Sequence, residues 1–68
     1  MENQELDYTI GCIQDLLQLI NRTDKLIKAH QEADAPTLVI AQYQDKKQEY
    51  ALELWQHLQT FNLPLQLA

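Results

Sequence analysis

Hydrophobic residues recur along the first half of the chain at alternating spacings of four and three positions. This first series comprises Leu6, Ile10, Ile13, Leu17, Ile20 and Ile27, with Asp24 as its one polar member. After Pro36 a second series comprises Ile40, Tyr43, Lys47, Tyr50, Leu54, Leu58 and Phe61. Such spacings place side chains on one face of an α-helix. The pattern therefore predicts an all-α protein with two helices, each bearing an apolar face.

Capping residues and prolines predict where these helices begin and end. Asn3 can cap the first helix, and Pro36 lies where a proline commonly opens a helix. Pro64 disfavours helical geometry at Leu63, which ends the second helix. We therefore expect one domain over residues 1–68, with a helix at about 3–33, a turn at about 33–36, a helix at about 36–62 and an apolar tail at 63–68.

A connection this short makes the two helices antiparallel neighbours. In such a hairpin, facing residues have numbers whose sum is nearly constant. The two series pair with sums of 70 or 71, as Ile20 does with Tyr50 and Leu17 with Leu54. In the same register Asp24 faces Lys47. We expect these two residues to form an ion pair at the contact between the helices, where it fixes their alignment.

The apolar surface of the first helix is wider than one partner helix can cover. It spans about 200°, against roughly 100° for a helix with one packed face. The surplus on both helices comprises Cys12, Leu16, Leu19, Leu26, Leu52 and Trp55. We expect these six residues to form an interface through which two hairpins join as a homodimeric four-helix bundle. A groove that binds a helix of a different protein is the alternative.

The net charge of the chain indicates which classes of partner it can bind. The formal net charge of -5 disfavours binding to nucleic acid or to an anionic membrane. The basic residues nevertheless gather towards the turn, so Arg22, Lys25, Lys28 and Lys46 remain candidates for a nucleic-acid contact. The longest apolar run, Leu38 to Ala41, cannot span a bilayer. The acidic start is unlike a secretory signal, so we expect a cytoplasmic protein.

Residues capable of catalysis or metal binding are few. The single cysteine, Cys12, excludes an intramolecular disulfide, and no zinc-ligand spacing occurs. The register brings Cys12 near His57, but nucleophilic catalysis also needs an orienting group, which the pattern lacks. Glu53 and His57 offer only two metal ligands. We expect no enzymatic activity, metal or cofactor, and a small interaction or structural module; a nucleic-acid-binding regulator is the alternative.

Overall fold

The computed structural model is a hairpin of two α-helices, and it describes the backbone of residues 2–60 and the side chains of residues 6–60. Helix α1 comprises Glu2–Glu32, and helix α2 comprises Thr37–Thr60. No strand occurs within residues 2–60. These bounds lie close to the expected ones. The expected end of α2 at residue 62, Phe61 and the apolar tail lie outside the described residues.

The two helices pack against each other along a line that we call the seam. On α1 the seam consists of buried and half-buried residues at spacings of four and three: Thr9, Ile13, Leu16, Ile20, Thr23, Ile27 and His30. On α2 it consists of the half-buried residues Val39, Tyr43, Lys47, Tyr50, Leu54 and His57. The side chains of His30 and Tyr43 meet across the seam near the turn, with ring centroids 4.9 Å apart.

Leu16 and Leu17 exchange the positions that the sequence pattern predicted for them. Leu17, expected in the contact between the helices, is 51% exposed, whereas Leu16, expected outside it, is only 5% exposed. Leu6 and Ile10, from the same predicted series as Leu17, are exposed as well. The predicted packing line was therefore wrong for these residues and right for Ile13, Ile20 and Ile27.

The width of the apolar surface on α1 explains this difference. The first series lies on one side of the seam, and the stripe containing Cys12, Leu19 and Leu26 lies on the other. The seam runs between the two stripes and takes alternate members of each. Apolar residues of α1 therefore remain outside the hairpin contact on both sides of the seam.

Thr23 places a hydroxyl group within the seam, where it is buried. Its Oγ1 donates a hydrogen bond of 2.7 Å to the carbonyl oxygen of Leu19, one turn earlier in α1. A buried hydroxyl without a partner would destabilise the fold, and this local bond removes that cost. No buried side-chain nitrogen or oxygen within residues 6–60 lacks a partner.

The turn ends α1 with a left-handed residue. Asp34 has φ of 56°. Its N–H donates to the carbonyl of Gln31 at 3.2 Å, and the N–H of Ala35 donates to the carbonyl of His30 at 2.9 Å. These two bonds form a Schellman motif, which satisfies the last carbonyls of a helix and reverses the chain. The Pro36 carbonyl then accepts the N–H groups of Val39 and Ile40, so α2 begins at once.

A Leu16→Ala substitution tests the seam. Removal of this buried side chain leaves a cavity, so we expect the free energy of unfolding to fall by about 2–5 kcal/mol. Leu52→Ala is the matched control, since Leu52 is 57% exposed and its substitution should cost less than about 1 kcal/mol. Urea denaturation followed by circular dichroism at one protein concentration measures both. Equal losses of unfolding free energy in the two variants would contradict the burial of Leu16 in the seam.

An Asp34→Gly substitution tests the turn. Glycine adopts positive φ without a Cβ penalty, so we expect a gain of about 0.5–1 kcal/mol in unfolding free energy. The control Asp34→Val should instead lose at least about 1 kcal/mol, because a β-branched residue is strained at this φ. Thermal melts at fixed protein concentration distinguish the two. A melting temperature that is lower for the glycine variant than for the wild type would refute the Schellman motif.

Candidate association surface

An ion pair marks one side of the hairpin. Nζ of Lys47 lies 2.6 Å from Oδ1 of Asp24, which places together the two residues that the register pairs. Their side chains are 43% and 44% exposed, so the pair lies at the solvent-exposed edge of the seam. Its energy is therefore modest, and its main effect is on the alignment of the helices. We call the side of the hairpin that carries it the Asp24 side.

Exposed apolar residues continue along the Asp24 side towards the open end of the hairpin. Ile10 and Leu17 precede Asp24 by four and two helical turns and therefore lie on the same side of α1. Leu6 lies one further turn away. On α2 the same side continues with Ala51, Trp55 and Leu58, which follow Lys47 by four, eight and eleven positions. We call this set the apolar face: Leu6, Ile10, Leu17, Ala51, Trp55 and Leu58.

The apolar face is accessible in the hairpin. Five of its six members are exposed, and Leu58 is half-buried. Large side chains dominate it, and Trp55 is the only tryptophan of the chain. Tryptophan is a residue type that commonly anchors protein interfaces. The Asp24–Lys47 pair bounds the face towards the turn.

The opposite side of the hairpin carries ionisable side chains beside its apolar ones. A surface groove of about 320 Å³ there is lined by Tyr8, Cys12, Asp15, Leu16, Leu19, Glu53 and His57. The groove brings Cys12 and His57 to one place, as the register predicted. A hydrogen bond with the Cys12 thiol raises the pKa of Tyr8, and the charge of the thiolate adds to this. Within the described residues, no three His, Cys, Asp or Glu side chains are grouped to hold a metal ion.

The six residues predicted for the interface do not share one surface. Leu16 is in the seam, and Cys12 and Leu19 are half-buried at the groove that Asp15, Glu53 and His57 also line. Leu26 is exposed on that same side, two turns after Leu19. The other two residues are exposed on α2: Leu52 on the side away from α1, and Trp55 on the apolar face.

The sequence pattern thus predicted exposed apolar surface, and the structure shows such surface on a partly different set of side chains. Leu6, Ile10 and Leu17 were assigned to the contact between the helices, although the structure leaves them on the outside. These three residues belong to the most regular apolar series of the chain, so the sequence identifies them as apolar positions on one face of α1. The spacing of residues alone could not show which side of α1 faces the second helix.

The basic residues are distributed over several sides. Arg22, Lys25 and Lys28 follow one another at spacings of three on the exposed outer surface of α1. Lys46 lies on α2, where its Nζ is 4.0 Å from Oε2 of Glu49. Arg22 shares the lining of a small groove with Asp15, a carboxylate. The four candidates for a nucleic-acid contact therefore do not form one basic surface.

No protein-family model, curated protein or solved structure matches this chain. Neither α1 nor α2, over residues 2–60, has the combination of length and hydropathy that crossing a membrane requires.

A double-mutant cycle on Asp24 and Lys47 tests the energy of the ion pair. We expect Asp24→Ala, Lys47→Ala and the double variant to give a coupling energy of about 0.2–1 kcal/mol, because both side chains are partly solvated. The coupling should shrink in 1 M salt, where charges are screened within about 3 Å. Urea denaturation at low and high salt measures it. A coupling above about 3 kcal/mol would mean that the pair is desolvated.

Proposed function

We propose that this chain is a non-catalytic cytoplasmic interaction or structural module whose apolar face binds a second copy of the chain. The two hairpins then form a homodimeric four-helix bundle. The observation that carries the proposal is the exposure of Leu6, Ile10, Leu17 and Trp55 on one side of the hairpin. Exposed apolar surface of this kind, bounded by charged residues, is typical of protein interaction sites.

The small interior of the hairpin supports association. Among the described residues, the buried hydrophobic side chains are Leu16 and Ile27, and none is fully buried. A chain of 68 residues can bury only a small core, and natural folds of this size often add disulfides, a metal or oligomerisation. One cysteine cannot form an internal disulfide. A second copy would complete the core by covering the apolar face.

The contrast between the two sides favours the Asp24 side as the interface. The groove on the other side presents Asp15, Glu53 and His57 beside its apolar residues, and these groups would lose hydration in a contact. On the Asp24 side, α1 and α2 both contribute apolar residues. A nucleic-acid-binding regulator is supported less well, because the basic residues lie on different sides of the hairpin.

Glutamate substitution of the apolar face tests the proposal. We expect the wild type to have twice the 8.0 kDa mass of one chain in light scattering. The double variant Ile10→Glu with Leu17→Glu should have the mass of a single chain, because a dimer would bury its four new carboxylates. Leu52→Glu is the matched control: Leu52 is similarly exposed but faces away from α1, so this variant should remain dimeric.

The fluorescence of Trp55 gives a second measurement that needs no substitution. Trp55 is 52% exposed in the single hairpin, and dimerisation through the apolar face would cover it. Its emission should therefore shift to longer wavelength as the wild-type protein is diluted and dissociates. A single-chain mass at all concentrations, or dissociation by Leu52→Glu and not by the double variant, would refute the proposed interface.

A further inference from the structure

The surface groove opposite the Asp24 side is apolar on its inner side and acidic at its edges. We call it the Cys12 groove; its lining residues are Tyr8, Cys12, Asp15, Leu16, Leu19, Glu53 and His57. Leu16 is buried, and Cys12 and Leu19 are half-buried. Asp15 on α1 and Glu53 on α2 lie farther from the seam and are exposed. Carboxylates from both helices therefore flank a strip of apolar side chains.

These two carboxylates have no positively charged neighbour in their own half of the hairpin. The open half, residues 2–20 and 51–60, contains no Lys or Arg and has five acidic residues. Among the described residues, the ion pairs involve neither Asp15 nor Glu53. Arg22 lines a small neighbouring groove with Asp15, but it lies seven positions, or about 10 Å, further along α1. The potential in the Cys12 groove is therefore negative and favours a cationic partner.

The apolar strip of the Cys12 groove continues along α1 towards the turn. Cys12, Leu19 and Leu26 follow one another at spacings of seven, which is the repeat of residues at which one helix packs along another. Leu26 is 43% exposed. From Cys12 to Leu26 the strip is about 21 Å long, which equals roughly four turns of an α-helix. The strip therefore has the length and spacing to accept a short helix.

We propose that the Cys12 groove binds an amphipathic helix of a different, basic protein. The apolar side chains of that helix lie on Cys12, Leu19 and Leu26, in the manner of other helices that bind in grooves. Lys or Arg side chains at its flanks pair with Asp15 and Glu53. An Arg side chain can also stack on the ring of Tyr8, which is 73% exposed.

A second copy of this chain is a poorer occupant of the Cys12 groove. Its apolar face belongs to the open half, which has no Lys or Arg to place beside the two carboxylates. Contact with that face would remove water from Asp15 and Glu53 without replacing it by opposite charge. A basic helix supplies that charge. The inference thus goes beyond the proposed dimer and uses the other side of the hairpin.

Protection of Cys12 from alkylation tests the proposal on the wild-type chain. The probe is a synthetic helical peptide of about 18 residues, or five turns, with Leu on one face and Lys and Arg on the other. Cys12 is the only thiol of the chain, so its reaction with iodoacetamide reports on this groove alone. With the peptide at ten times its Kd, we expect alkylation to slow about tenfold, because only the unbound fraction reacts. A peptide with Glu in place of Lys and Arg should give no protection.

Charge-neutralising variants test whether the two carboxylates bind the peptide. Asp15→Asn with Glu53→Gln should raise the Kd about 2–30-fold, because two solvated ion pairs are lost. The matched control is Glu32→Gln with Asp45→Asn, which makes the same change in net charge at exposed positions outside the groove. This control should change the Kd less than about twofold, because charges beyond about 10 Å are screened. The fluorescence anisotropy of labelled peptide measures each Kd.

Two results would overturn the proposed site. Saturating basic peptide that leaves the alkylation rate of Cys12 unchanged or raised would show that the peptide binds elsewhere. Equal increases in Kd for the two pairs of substitutions would show attraction to net charge without a specific groove. Neither result depends on whether the chain is a dimer, since the proposed dimer leaves the Cys12 groove uncovered.

Discussion

The packing of α1 against α2 along the seam determines the remaining surfaces of this protein. The seam runs between two apolar stripes of α1, so it buries Leu16 and Ile27 and leaves apolar side chains at both margins. Rotation of α1 by one residue position, about 100°, would exchange Leu16 with Leu17 and change the exposed surface entirely. The surface available for association is thus a consequence of how one helix is rotated against the other.

The same contact leaves the hairpin with a small core. Two helices bury side chains only along one line, and most seam residues of this hairpin are half-buried. If a second copy covers Leu17 and Trp55, each chain gains buried apolar surface, and the free energy of that contact adds to the stability of the fold. Stability would then depend on protein concentration, as it does for obligate dimers.

Charged residues affect the alignment of the two helices more than the stability of the fold. The partly solvated Asp24–Lys47 pair aligns the two helices, although pairs with this exposure add little stability. Residues 2–20 and 51–60 contain no Lys or Arg, so the net negative charge of the chain is confined to the open end of the hairpin.

The sequence alone predicted two helices, the turn near Asp34 and Pro36, the pairing of Asp24 with Lys47, and a surplus of apolar surface on α1. These features depend on spacing, capping and register, which are local or additive along the chain. Only the tertiary structure decided that Leu16 lies inside and Leu17 outside. An apolar arc of about 200° is compatible with several rotations of α1. The choice depends on how both helices pack together, and the hydrogen bond from Thr23 to the Leu19 carbonyl allows that hydroxyl group to be buried in the seam.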